Sequence, residues 1–198
     1  TIPEDLASVQ ALRVMEHYVR YSAPLRMARQ CNDGSGAIGI EVLECPARRV
    51  DDQATDHLAA VATNADGSLA LTTATFFCVR VRNRSTTTLK VFLFGMQAGG
   101  SVLLIGCESI EGDSAQTFWR PGDVGGAIHN TVPRNRAYCI DHLVAIATTD
   151  MGADLAYITE SDGFAEAVAR SVEEPATQSA AIAWTSAESL LRTVPEPL

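Results

Sequence analysis

The sequence has one lysine, Lys90, no C-x-x-C pair and no apolar run long enough to span a membrane. Each absence removes a class of function. With a single lysine, and that one inside an alternating apolar stretch, Schiff-base and phosphate-loop lysine chemistry have only one candidate. Without C-x-x-C there is no zinc knuckle or redox pair of the usual spacing. A membrane helix needs about 20 consecutive apolar residues, and none is present. The N-terminus has no basic, apolar and small-residue succession of a secretory signal. Aromatic residues are also scarce, at 6%.

Catalytic signatures are missing as well. Gly34-Ser35-Gly36 does not make a nucleophile elbow, and Gly99-Gly100 and Gly125-Gly126 are too short for a phosphate cradle. The four histidines, His17, His57, His129 and His142, never fall at metal-ligand spacing on one element. Asn64 to Ser68 is part of a calcium-loop pattern but lacks the later acidic ligand, so it reads as a turn. Cys139 and His142 are three apart. On a strand they point to opposite faces and cannot share a proton. No catalytic residue, cofactor or metal is therefore expected.

The composition that remains is that of a folded acidic domain. In 198 residues, 46% are apolar, and 24 acids against 15 bases give a formal net charge of −9. That balance opposes broad binding to nucleic acid or to an anionic membrane. A chain of this length buries roughly 70% of its unfolded surface and builds a core without staples. Five cysteines (Cys31, Cys45, Cys78, Cys107 and Cys139) make an odd, unpatterned set, which fits a reduced, cytoplasmic setting. Cys78, in an apolar stretch, reads as a small buried hydrophobe. Asn83-Arg84-Ser85 spells a glycosylation acceptor, which carries no meaning in that setting. A chain beginning at Thr1 reads as a processed or excised piece.

The hydrophobic period divides the chain into a helical lead-in and a β body. Leu6, Val9, Leu12, Met15, Tyr18 and Val19 recur at steps of three and four, predicting a helix over 1–29 that ends or kinks at Ser22 to Pro24. Alternation then predicts a strand over 37–45, closed by Pro46, and a β-sandwich body over 37–148. Residues 138–148 form another strong strand, and Val124 to His129 a short one. Ser161-Asp162 caps a short helix over 161–172, and 181–194 adds a final strand. The expected fold is a single, mainly β domain over 1–198, an antiparallel β-sandwich with an N-terminal helix.

The most specific expectation concerns 75–106. If Ser85, Thr86 and Thr87 form a hairpin loop, Val81 faces Val91 and Val79 faces Leu93. Returning through Gly99-Gly100 sets Leu103 opposite Leu93 and Ile105 opposite Val91, so one face is continuously apolar. The other face would hold Phe76, Phe92 and Phe94 at one end and Arg80, Arg82 and Lys90 at the other. Arg82 would lie across from Lys90, an unfavourable like-charge pair unless an acid or a partner intervenes. Two arrangements serve such a face. A helix covers its apolar end while acids answer its basic end, or the six residues dock another protein domain.

Three segments resemble the non-catalytic β-sandwich region that follows the protease domain in caspase-like, metacaspase-type proteins. They are the helical Ala11 to Tyr18 leading to a strand at Ile38 to Leu43, the strand, N-x-S turn and strand of Phe77 to Ser85 with Leu89 to Phe94, and Ile140 to Thr148 after a Pro-Gly turn. The resemblance implies an accessory domain whose partner is a tethered protease domain, with the catalytic Cys and His outside this segment. No functional residue carries over. Two other functions are compatible with the sequence: a small-molecule binder with a cavity between sheet and helix, or an enzyme whose acids, such as Glu108, Asp113 and Asp123, are gathered by the fold.

Overall fold

The computed structural model describes residues 4–32, 34–132, 134, 136–159 and 184–195. Among the described residues, a helix, α1 (Glu4–Cys31), is followed by eight strands: β1 (Ile38–Cys45), β2 (Leu69–Thr72), β3 (Phe76–Asn83), β4 (Leu89–Met96), β5 (Val102–Ile110), β6 (Ala115–Phe118), β7 (Cys139–Thr148) and β8 (Trp184–Val194). They form two sheets, ordered β1-β3-β6 and β2-β8-β7-β4-β5. The architecture is the expected mainly β fold with an N-terminal helix, and its pairings are antiparallel except β2 with β8. The helix expected over 161–172 lies outside the described residues.

Alternation explains the layers. Inward-facing Phe77, Val79 and Val81 from β3 join Val91 and Leu93 from β4, Leu143 and Ala145 from β7, and Leu191 from β8 in the central core. The other face of the five-stranded sheet presents Phe92, Phe94, Met96, Val144 and Ile146 to Tyr21, Leu25 and Ala28 of α1. The outer face of the small sheet buries Leu43, Cys45 and Cys78 beneath Trp119 and Ala127. Cys78 is fully buried, as expected of a small hydrophobe.

Helix α1 does not stop at Pro24, which lies inside it. An interior proline costs about 3 kcal/mol. Packing of the residues around it, Tyr21 to Cys31, against the large sheet offsets that cost.

The hairpin expected between β3 and β4 is not formed. Both edges of β3 are taken, by β1 and by β6, and the chain crosses to the other sheet after Asn83. The backbone amide of Asn83 donates to the Ser114 carbonyl, and that of Arg84 to Ala37, both at the level of the small sheet. The Asn83 side chain makes the crossing. Its Oδ1 accepts from the amide and hydroxyl of Ser85, while Nδ2 donates to the carbonyls of Thr87, Ile110 and Glu111. Val79, Val81, Val91 and Leu93 therefore share one core from opposite sheets rather than as cross-strand neighbours.

The β4–β5 hairpin does form, but with its register displaced by two residues near the turn. Gly95 pairs with Leu103 and Phe94 with Leu104, and a bulge then sets Leu93 opposite Gly106. Up to the bulge the two-residue shift preserves which face each side chain takes; beyond it the shift is three, so Val91 meets Glu108 instead of Ile105 and Ile110 enters the central core. A Cβ at Gly106 would stand 2.7 Å from the Phe118 ring, so this glycine gives β6 room to cross β5. Residues 124–129 form no strand. They make two isolated bridges, Arg49 with Gly126 and Phe77 with Ile128, because backbone groups of 120–126 are used in local turns, Asp123 N donating to the Arg120 carbonyl and Gly126 N to that of Asp123.

Candidate functional site

The six residues Phe76, Arg80, Arg82, Lys90, Phe92 and Phe94 do not form one surface. The first three lie on β3 in the small sheet, the last three on β4 in the large one, and their outward faces are on opposite sides of the sandwich. Each half is met by the chain itself. Phe92 and Phe94 are buried beneath α1, and Phe76 packs with the Trp119 cluster. Arg80 Nη2 donates to the Thr55 carbonyl at 2.6 Å and pairs with Asp56 at 3.1 Å. Arg82 Nε is 3.6 Å from Glu41. Across the strands Lys90 meets Ser109 and Thr148 instead of Arg82. Its Nζ donates to the carbonyls of Met151 and Ala153 and lies 5.5 Å from the Phe92 ring centre.

The candidate acids are not gathered into a catalytic set. Glu108 and Asp123 line one surface groove, whereas Asp113 sits apart in the 111–114 turn with a positive φ of 56°. Asp123 accepts from both Arg120 and Arg49, and those hydrogen bonds hold its carboxyl below the usual carboxylate range. An acid so stabilised as an anion is a poor proton donor. Among the described residues, no three His, Cys, Asp or Glu side chains converge as a metal-binding group. No described helix is long and apolar enough to cross a membrane.

A concave site that contains a buried acid lies at one open end of the sandwich, between the two sheets rather than between sheet and helix. A cavity of about 230 Å³ is walled by Phe77, Ile105, Leu143 and Leu191 and opens past Gln97 and His129. A second cavity of about 200 Å³ adjoins it and shares Gln97, His129, Asn130 and Asp141. The fold builds this end in three steps. Gln97 and Ser101 close the β4–β5 turn, with Gly100 at φ 91°. Phe77 and Ile128 exchange backbone hydrogen bonds at 2.8 and 2.7 Å, which latches the loop carrying His129 and Asn130 over the cavity. The first inward positions of β7 are Cys139 and Asp141, at the level where the core opens.

Asp141 is the central polar group. Only 8% of it is exposed. Its Oδ1 accepts from the Ala98 amide at 2.7 Å and its Oδ2 from Asn130 Nδ2 at 2.8 Å. Burial raises its carboxyl above the usual range, against the opposing pull of the Ala98 hydrogen bond. Asn130 is held in place by a second bond, 3.2 Å to the hydroxyl of buried Thr193. The Cys139 sulfur lies 3.6 Å from the Thr131 carbonyl and 3.8 Å from Asp141 Oδ2. Burial, reinforced by the Asp141 charge, raises the thiol, so Cys139 is held as a protonated donor and not as a thiolate.

Asp141 and Asn130 were not singled out by any motif. The available signal was positional: Asp141 is the one acid in the inward series Cys139, Asp141, Leu143, Ala145, Ala147. An acid at an inward register position must be satisfied or used. No protein-family model matches the chain, and no curated protein is significantly similar to it. The fold defines a two-sheet β-sandwich domain with an open-ended inter-sheet cavity, and its geometry carries the functional argument.

Proposed function

We propose that this is a non-catalytic binding domain that takes a small organic molecule into the cavity at the open end of the sandwich. The observation that carries this reading is the buried Asp141 carboxylate in a cavity that joins apolar walls (Phe77, Ile105, Leu143, Leu191) to a polar side of Gln97, His129, Asn130 and His142. Binding sites typically combine apolar walls with a few fixed polar groups whose ionisation is perturbed. The protonated Cys139 and the Arg-paired Asp123 favour binding over group transfer. The test is a thermal-shift screen of small metabolites on the full chain. A true ligand raises Tm, and Ile105→Trp, which fills the cavity, removes that rise while the variant retains its β-sheet circular dichroism. A screen in which every stabilising compound acts equally on wild type and Ile105→Trp removes the cavity from consideration.

A second reading keeps the domain as an accessory to a caspase-like protease domain. Its support comes from α1, whose Met15, Tyr18 and Val19 leave an exposed apolar stripe at helical spacing. On this reading Tyr18→Glu weakens association with a caspase-like protease domain at least tenfold in a binding titration. Unchanged affinity excludes the helix as the contact.

A further inference from the structure

We infer that the cavity's ligand is a small primary amine, with its apolar body between the sheets and its ammonium against Asp141. This inference rests on the binding function proposed above and names its ligand class. It starts from the Asp141 side chain, whose hydrogen-bond donors are all neutral and whose charge is answered only in part, by neighbouring His142. An ionised carboxylate offers about four lone-pair sites. Three neutral donors (the Ala98 amide, Asn130 Nδ2 and the Cys139 thiol) surround these oxygens. None of them carries charge, and among the described residues no lysine or arginine comes within 4.0 Å of Asp141.

The surroundings supply no lysine or arginine to pair with it; the nearby cationic influence is His142, beside it on β7, and His129 also lines the cavity. Arg120, at the cavity edge, is engaged by Asp123, and Lys90 is spent on two carbonyls in the far half of β4. A buried charge without a partner is costly, and a ligand that brings the partner gains most from entering. An ammonium supplies both a full positive charge and a donor for the remaining acceptor site. An alcohol supplies only the donor, and a carboxylate would meet like charge. The net charge of −9 further favours approach of a cation over an anion.

Volume sets the size of the apolar body. A dry apolar cavity of about 150 Å³ admits benzene. At about 230 Å³, this one has room for a ring or a branched alkyl group with a short aminoalkyl arm. Phe77, Ile105, Leu143 and Leu191 provide matching walls, and Phe77 and Leu143 are fixed by the sheets on which they stand.

The experiment compares 2-phenylethylamine, 2-phenylethanol and phenylacetate, which share one body and differ in the head group. Calorimetric titration of each into the full chain, at a pH where Asp141 is ionised, measures the preference directly. The amine is expected to bind at least tenfold tighter than either comparator. In Asp141→Asn that preference should collapse to within about twofold, with alcohol binding retained as evidence that the variant is folded. Alcohol or acid binding as tightly as the amine to the wild type overturns the amine assignment but leaves the cavity as a binding site. Amine binding unchanged in Asp141→Asn but lost in Ile105→Trp has the same meaning. No binding of any of the three at millimolar concentration overturns both.

Discussion

At the residue scale, two polar side chains are placed where apolar ones would be expected, and they do different work. Asn83 is fully buried and links the two sheets through one amide group. Its burial also removes it as a glycan acceptor in the folded chain, although the triplet reads as one. Asn83→Ala leaves the Ile110 carbonyl buried without its side-chain donor and costs roughly 2–3 kcal/mol, since each buried group so orphaned costs about 1–3 kcal/mol. Urea unfolding measures this, and a loss below about 0.5 kcal/mol would show that Asn83 does not hold the crossing. Asp141 differs in that its hydrogen-bond partners satisfy it as an acceptor but are all neutral, leaving its charge to be answered only in part, by neighbouring His142. Neither role was written in a motif. Asn83 looked like a turn residue, which it is, but the turn joins two sheets instead of two strands of one sheet.

At the element scale, the loops over the small sheet are clipped together by charge. Asp123, in the turn after β6, is gripped by Arg120 from its own turn and by Arg49 from the loop after β1. The Arg120 hydrogen bond, then that from Arg49, lowers its carboxyl in the folded protein. A group lowered on folding contributes stability that is present above its unfolded value, near 3.9, and is lost as pH falls through the folded value. Asp123→Asn should therefore flatten the acid limb of the stability profile below about pH 4, as followed by Tm against pH. An unchanged acid limb would place the clip's contribution elsewhere. The longer strands were legible: β1, β3, β4 and β7 lie where period-two apolar patterns put them, β5 where the return through Gly99-Gly100 put it, and β8 within the final strand expected over 181–194. The four-residue strands β2 and β6 were not, because so short a segment carries too little periodicity, and their pairing is decided by the neighbours they complete.

At the scale of the whole molecule, the two faces of 76–94 show how one pattern admits two topologies. A hairpin and a crossing between sheets both put Val79, Val81, Val91 and Leu93 in a common core, so burial alone does not distinguish them. They differ in the fate of the other face. A hairpin would gather Phe76, Arg80, Arg82, Lys90, Phe92 and Phe94 and set Arg82 against Lys90. The crossing sends them apart, to be covered by α1 and the loops and answered by Glu41 and Asp56. The like-charge conflict of the hairpin is resolved by separation. The open end of the sandwich is likewise a product of topology, since its cavity draws on β3, β4, β5, β7, β8 and the 128–130 loop.

The scarcity of lysine, the absence of catalytic and metal motifs and the period-two runs are properties of the chain alone. They determined that it is a mainly β domain and which positions face inward, because alternation and burial are local consequences of residue order. Strand partners, the separation of the six mixed-face residues and the convergence of Asp141, Asn130 and Cys139 were decided only by the tertiary structure. They depend on which backbone edge is already occupied when a strand seeks a partner. That is a competition among segments distant in sequence, and no local pattern records its outcome.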